Sequence, residues 1–255
     1  MHVTSPRGFR LLNSMSGIVI SDKPVGKVSA IIVAAGKGSR MGAAVNKQYL
    51  MLLNKPVLAY TLETFERTES ISEMIVVVHP EDRRLFEECI LPFGFRKITA
   101  IADGGFDRQA SVYNGLLQVS PESDIVAVHD GARPLVSPTV ISNSVAVAAR
   151  YGSACVGVPV KDTIKMVDTN HIILDTPERS MLWTIQTPQT FQREILINAH
   201  EKAIAEGYRG TDDAVLVERL GVPVKMVMGS YTNLKITTAE DLVVAEAFLK
   251  AAPGK

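Results

Sequence analysis

Three short clusters in this chain combine small residues, cations and carboxylates in a way that suits phosphate chemistry. The first is Ala34-Ala35-Gly36-Lys37-Gly38-Ser39-Arg40-Met41, with Lys47 seven residues beyond Arg40. Small side chains let backbone N–H groups approach phosphate oxygens closely. Arg40 and Lys47 can then offset the charge of a polyphosphate. The loop is not a P-loop, because GxxxxGK[ST] is absent, and the dinucleotide fingerprint GxGxxG fails at Met41. Gly-Lys-Gly alone would read as a tight strand–helix turn. The basic pair that follows tips the reading toward phosphate.

The second cluster is Asp103-Gly104-Gly105-Phe106-Asp107-Arg108-Gln109-Ala110-Ser111. It reads as a turn leading into a helix N-terminus, and a Gly-Gly turn can also present backbone groups to a flat base. The third is Val128-His129-Asp130-Gly131-Ala132-Arg133-Pro134. A carboxylate at a strand end, Asp130, suits Mg²⁺ or substrate hydroxyls. Asp130 and Arg133 equally suit a structural ion pair, and His129 reads as a core residue. Arg179, Thr187, Thr211 and Lys235 stand near expected element ends, and each alone reads as surface.

The elements that must hold these clusters follow from the apolar pattern. Residues 28–35 are short, apolar and β-branched and end at Gly36, which predicts a buried strand. Further strands are expected over 74–78, 98–102, 125–128 and 154–158. Helices are expected over 58–67, 83–90, 111–119 and 140–151. This alternation predicts an α/β fold with a mostly parallel, helix-covered sheet. In such sheets ligands bind beyond the carboxyl ends of the strands, where all three clusters fall. Residues 163–167 and 172–176 break the rhythm. They flank Asp168-Thr169-Asn170-His171, a turn sequence, and predict an inserted hairpin. An isolated hairpin is marginal in water and needs a surface to pack on, for which a second subunit is the natural candidate.

Composition narrows the class. The 255 residues carry 27 Lys+Arg and 27 Asp+Glu, so the formal net charge is zero. A dedicated nucleic-acid binder would show a basic excess. No apolar run reaches the ~18 residues of a membrane helix. Cys89 and Cys155 lie far apart without a CxxC partner, which points to two reduced thiols and a cytoplasmic setting. Residues 1–27 read as an extension without a secretory signal, followed by one domain over 28–250. A plastid transit peptide is the disfavoured alternative.

Taken together and in order, these motifs resemble the 2-C-methyl-D-erythritol 4-phosphate cytidylyltransferase family of the non-mevalonate isoprenoid pathway. The resemblance rests on Ala34-Ala35-Gly36-x-Gly38-x-Arg40-Met41, Lys47-Gln48-Tyr49, Asp103-Gly104-Gly105 and His129-Asp130-Gly131-Ala132-Arg133-Pro134. It continues through Thr187-Pro188-Gln189, Thr211-Asp212-Asp213 and Asn233-Leu234-Lys235-Ile236-Thr237. It implies a Rossmann-like nucleotidyltransferase core and a β-arm, here about 160–182, that swaps across a homodimer. It implies transfer of a cytidylyl group from CTP to methylerythritol phosphate, with Mg²⁺ required and pyrophosphate released.

By resemblance, Ala34, Ala35, Gly36 and Gly38 form the CTP loop, and Gly105 and Ser111 contact cytosine through the backbone. Arg40 and Lys47 stabilise charge on the α-phosphate, and Arg179 and Lys235 position methylerythritol phosphate. Asp130, Arg133, Thr163 and Thr211 face that substrate or, for Asp130, the metal, and Thr187 assists the phosphate. One departure is Phe106, which stands where the family often has an acidic residue. A sibling ribitol-5-phosphate cytidylyltransferase is the runner-up; it tends to have Ser-Val where this chain has Gly131-Ala132. A non-catalytic nucleotide binder on the same fold should lack one of Arg40, Lys47, Arg179 or Lys235, and all four are present.

Overall fold

The computed structural model describes residues 25–36 and 46–251. Gly38, Arg40 and most of the proposed extension lie outside the described residues; Lys27, at the end of that extension, already belongs to the first strand. In chain order the strands are β1 Lys27–Ala34, β2 Met51–Leu52, β3 Lys55–Pro56, β4 Glu73–Val78, β5 Ile98–Asp103 and β6 Ser123–Asp130. Then follow β7 Ser153–Pro159, β8 Met166–Val167, β9 Ile173–Asp175, β10 Trp183–Gln192 and β11 Lys225–Met228. The α-helices are α1 Val57–Arg67, α2 Arg83–Cys89, α3 Arg108–Leu116, α4 Pro138–Tyr151, α5 Arg193–Ala205, α6 Asp213–Glu218 and α7 Ala239–Ala251.

Seven strands form one sheet in the order β11-β7-β10-β6-β1-β4-β5. β1 pairs in parallel with β4 and β6, β4 with β5, and β7 with β11. β10 is antiparallel to both of its neighbours, β6 and β7. The sheet is therefore mostly parallel, as expected, with one reversed strand.

Both faces are covered, which is why the strands read as continuous apolar runs. Val28, Ala30 and Ile32 of β1 and Met74 and Val76 of β4 face a core shared with Leu62 and Phe65 of α1 and Ile141 and Val145 of α4. Ile31, Ile75 and Val77 point to the other face, against Val112 of α3 and Leu196 of α5. The period-two alternation of a strand sorts these residues between the two cores. The shared register aligns the strand ends: Ala34 pairs with Val78, Val33 with Asp130 and Val78 with Asp103. The strand ends from which the three chemical clusters start thus lie together along one edge of the sheet.

Several sequence expectations shift. α3 begins at Arg108, three residues earlier than expected, because the Asp107 side chain caps it by accepting from Ala110 N–H at 2.8 Å. The hairpin strands shorten to β8 and β9, while the Asp168 carboxylate accepts from Asn170 and Ile172 N–H, both at 2.9 Å, and closes the turn. Sequence reading assigns no element to β10, whose centre is Gln186-Thr187-Pro188-Gln189. Those polar residues are buried because each finds a partner. Thr187 bonds His129, Gln186 donates to the Ser230 carbonyl, and Gln189 accepts from the N–H groups of Asp213 and Ala214.

Phe191 on β10 is fully buried between the sheet and α5. Phe191→Ala should lower unfolding free energy by about 3–5 kcal/mol, the usual cost of emptying an aromatic site in a core. Urea unfolding measures this. A loss under about 1 kcal/mol would mean that the reversed strand is not part of the cooperative core.

Candidate active site

A cleft of about 550 Å³ opens at the carboxyl ends of β1, β5 and β6. Ala34, Ala35 and Gly36 form one wall with Lys47, while Gly105 and Ser111 form another. A second cavity of about 330 Å³ adjoins it, lined by Arg133, Thr187 and Thr211 among others. Arg108, Asp130 and Lys235 line both. Two compartments therefore share a wall of two cations and one carboxylate.

Lys47 and its neighbour Gln48 both line the cleft. Gln48 and Tyr49 are buried, and the Gln48 amide donates to the Ala34 carbonyl at 2.6 Å. The glycine turn is held as tightly. Gly104 N–H donates to the Val78 carbonyl at 2.7 Å, and Ser111 Oγ accepts from Gly105 N–H at 3.0 Å while donating to the Asp107 carbonyl. A Cβ on Gly105 would lie 2.5 Å from Ala110 Cβ and 2.9 Å from its carbonyl carbon, so the turn can pack against α3 only as glycine. Phe106, beside it, is 81% exposed, with the Arg209 guanidinium 5.1 Å from its ring centre.

Asp130 organises the shared wall. Lys235 Nζ lies 2.8 Å from Oδ2, Arg108 Nε lies 3.2 Å from Oδ1, and Arg133 Nε lies 3.6 Å from Oδ2. Burial by itself would raise the Asp130 pKa, but Arg108, Lys235 and Arg133 outweigh it and hold the carboxyl well below the usual range. Arg133 is also fixed by donating to the Asn233 carbonyl at 2.8 Å, and its Nε has no hydrogen-bond acceptor although buried. Lys235 is brought in by its own segment: Ile236 N–H donates to the Ala132 carbonyl at 2.8 Å, and the Asn233 amide donates to the Thr187 carbonyl at 3.0 Å.

In the sequence Arg108 and Asp213 stand out only as members of their motifs, and His200 belongs to none. Arg108 Nη1 lies 2.8 Å from Asp213 Oδ2, and Asp213 Oδ1 accepts from the buried His200 Nε2 at 3.2 Å. A cation in the first turn of a helix opposes the helix dipole. Arg108 stands there because two carboxylates compensate it, and that placement is the signal the sequence carried.

His129 is a core residue, as expected. Its Nε2 donates to the Arg133 carbonyl at 3.3 Å, so Nδ1 is the acceptor for Thr187 Oγ1 at 3.0 Å. Thr187 Oγ1 in turn accepts from Asp130 N–H at 3.1 Å. Both roles of the Thr187 hydroxyl are thus spent on aligning the Asp130 strand end. Thr163 and Arg179 are exposed on the arm and line neither cavity of their own chain; Arg179 donates to the Lys161 carbonyl at 2.9 Å.

Burial pushes the His129 pKa down from 6.5 to about 3. Between about pH 6.5 and pH 3 only the unfolded chain takes up that proton, so stability falls as pH drops through this window. Between pH 7 and pH 5 the wild type should lose about 2 kcal/mol more than His129→Gln, whatever the variant costs at neutral pH. Urea midpoints at the two pH values test this, and parallel losses would show that His129 titrates normally.

Comparison with known proteins bears on this arrangement. The sequence profile of the 2-C-methyl-D-erythritol 4-phosphate cytidylyltransferase family matches residues 28–251. A protein of that name from Caldanaerobacter subterraneus subsp. tengcongensis is 53% identical over 224 residues, covering 88% of this chain and 99% of the relative. One from Pelotomaculum thermopropionicum is 50% identical over 230 residues, covering 90% and 97%. Among solved structures, the 4-diphosphocytidyl-2C-methyl-D-erythritol synthase of Anaerococcus prevotii aligns with a TM-score of 0.79 at 33% identity, covering 88% of this chain and 96% of the other. The 2-C-methyl-D-erythritol 4-phosphate cytidylyltransferase of Thermus thermophilus aligns with a TM-score of 0.73 at 33% identity, covering 88% and 100%.

Proposed function

The chain belongs to the 2-C-methyl-D-erythritol 4-phosphate cytidylyltransferase family, and from that membership we propose how its two compartments divide the reaction. The enzyme transfers a cytidylyl group from CTP to 2-C-methyl-D-erythritol 4-phosphate, a step of isoprenoid precursor synthesis. An oxygen of the methylerythritol phosphate forms a bond to the α-phosphorus of CTP. The bond from that phosphorus to the β-phosphate bridge breaks, and pyrophosphate leaves. The products are 4-diphosphocytidyl-2-C-methyl-D-erythritol and pyrophosphate.

CTP occupies the larger cleft and methylerythritol phosphate the smaller one. The observation that carries this is the wall of Arg108, Asp130 and Lys235 common to both. The attacking phosphate monoester already carries about −1.5 to −2 charge at neutral pH, by analogy with phosphoserine. It needs no general base, and the neutral, buried His129 offers none. The barrier is repulsion between two anions, which fixed cations lower by positioning and by charge. Lys47 acts on the α-phosphate from the Ala34–Gly36 side, with Arg40 of the same loop. Lys235 and Arg133 hold the incoming phosphate, and Thr211 lines the same cavity. The Gly105 carbonyl is an acceptor suited to the cytosine amino group, which uracil lacks, so base choice rests on the backbone near Gly105 and Ser111.

A divalent cation fits this site as a companion of the triphosphate. No group of three or more His, Cys, Asp or Glu side chains converges among the described residues, and Asp130 is the carboxylate common to both cavities. Mg²⁺ with one protein carboxylate and phosphate oxygens is its ordinary coordination. Such an ion, when bound, offsets phosphate charge. A cytoplasmic setting suits the two free cysteines.

The arm supports assembly as a homodimer. Ile172, Ile173, Leu174 and Met181 are 58–76% exposed, an apolar surface that a lone chain leaves in water. Thr163 and Arg179 line neither of the two described cavities of their own chain. The arm crosses a two-fold axis, and these residues complete the partner's smaller cavity.

Two experiments test this reading. Pyrophosphate release from CTP should depend on methylerythritol phosphate rather than ribitol 5-phosphate, and Lys47→Ala should lower turnover about 100-fold or more while leaving the urea midpoint near wild type. Near-normal turnover of the folded variant would remove Lys47 from the mechanism. For the arm, inactive Lys47→Ala and Arg179→Ala chains are mixed and allowed to exchange. If Arg179 acts in trans, each mixed dimer has one intact site. About half the dimers are mixed, so activity should recover to about a quarter of wild type. No recovery after confirmed exchange would refute the crossed arm.

A further inference from the structure

Lys47 sits on a turn whose outer side is held by one side chain outside the cleft. Asp82 lies in the turn Pro80–Asp82 between β4 and α2 and lines neither cavity. Its Oδ2 accepts from Asn46 Nδ2 at 2.5 Å and from Gln48 Nε2 at 3.5 Å, the residues on either side of Lys47. Gln48 Nε2 also donates to the Ala34 carbonyl at 2.6 Å, so the same amide joins the turn to the end of β1. Tyr49 completes the anchorage by burying its ring in the core cluster that also holds Ala34, Leu58 and Phe86. Its hydroxyl is buried without a hydrogen-bond partner, and burial, with the Asp82 charge next, pushes its pKa up. The turn is thus pinned on its core side by packing and on its outer side by a carboxylate.

We propose that Asp82 is a positioning residue for the cytidylyl transfer: it fixes the Asn46–Gln48 turn so that the Lys47 ammonium meets the α-phosphate in the transition state. The inference rests on the role given to Lys47 above. A cation that must stabilise charge at one developing centre loses its effect steeply when misplaced, and a shift of about 1 Å can cost about 100-fold in rate. Lys is a point charge on a flexible stem, so the accuracy of its placement is set by its backbone. Three residues in a single turn of 3₁₀-helix have little rigidity of their own. Asp82 supplies it from a neighbouring α/β unit. Arg83, the next residue, turns the other way. It donates to the Ile101 carbonyl at 3.3 Å and to Asp103 Oδ1 at 2.9 Å, and so belongs to the end of β5 rather than to the Lys47 turn.

A double-mutant cycle separates positioning from general stabilisation. Asp82→Ala should lower kcat at least about tenfold in the wild-type background, with the KM for methylerythritol phosphate within about twofold. In the Lys47→Ala background the same substitution should change kcat less than about twofold, because the group it positions is gone. Arg83→Ala serves as the control and should give the same fold-change in both backgrounds. If Asp82→Ala does not fold, Asn46→Ala breaks the clamp from its other side, and the same cycle applies. Equal losses in both backgrounds, or near-normal kcat for a folded clamp variant, would overturn the proposal while leaving Lys47 in place. A Lys47→Ala enzyme of normal turnover would instead overturn the mechanism on which the proposal rests, and the two failures are distinct.

Discussion

Asp130 holds its charge out of water because three cations surround it, and the rest of the cleft is arranged around that fact. A buried carboxylate with one partner would gain little after desolvation. With Lys235, Arg108 and Arg133 it becomes the anchor that keeps those cations charged and aimed. Each cation comes from a different part of the chain: α3, the turn after β6, and the segment after β11. The folding of distant segments is therefore coupled at one carboxylate. Arg108 needs a second anion, Asp213, and Asp213 takes a hydrogen bond from His200. The charge pattern runs from the cleft into the core without leaving any carboxylate in it unpaired.

The sheet explains why this cluster can be built. Parallel strands end in register at one edge, so loops from different units converge there without any direct connection in sequence. The reversed strand β10 serves the same edge from the opposite direction. Its middle residues lie beside the end of β6, where Thr187 touches Asp130 and His129. A parallel strand in that place would present the ends of its loops instead of the middle of its backbone.

Much of this was legible from residue order. The buried strands β1, β4 and β6 announce themselves as β-branched runs, and the three clusters after β1, β5 and β6 carry the family resemblance. For β10 and for Arg108, what the sequence hid has one physical cause: polar residues in the core. Gln186, Thr187 and Gln189 look like loop residues, yet their partners make them strand. Arg108 looks like a surface cation until Asp130 and Asp213 are seen beside it. Hydropathy patterns count residues one at a time, and these residues are buried only as pairs. The arm shows the converse. Its apolar residues form an alternating pattern that was visible in the sequence, but β8 and β9 remain exposed in a single chain.

The run Lys235–Asp130–Arg108–Asp213–His200 also constrains how this enzyme can diverge. Neutral drift changes one residue at a time, and loss of Arg108 takes from the buried Asp213 its only Arg or Lys partner among the described residues. A lineage that replaces Arg108 must change Asp213 almost together with it, or pass through a poorly folded ancestor. The network therefore behaves as one inherited character spread over residues 108–235. Nearby surface positions, such as those on the outer side of α7, are free to wander independently.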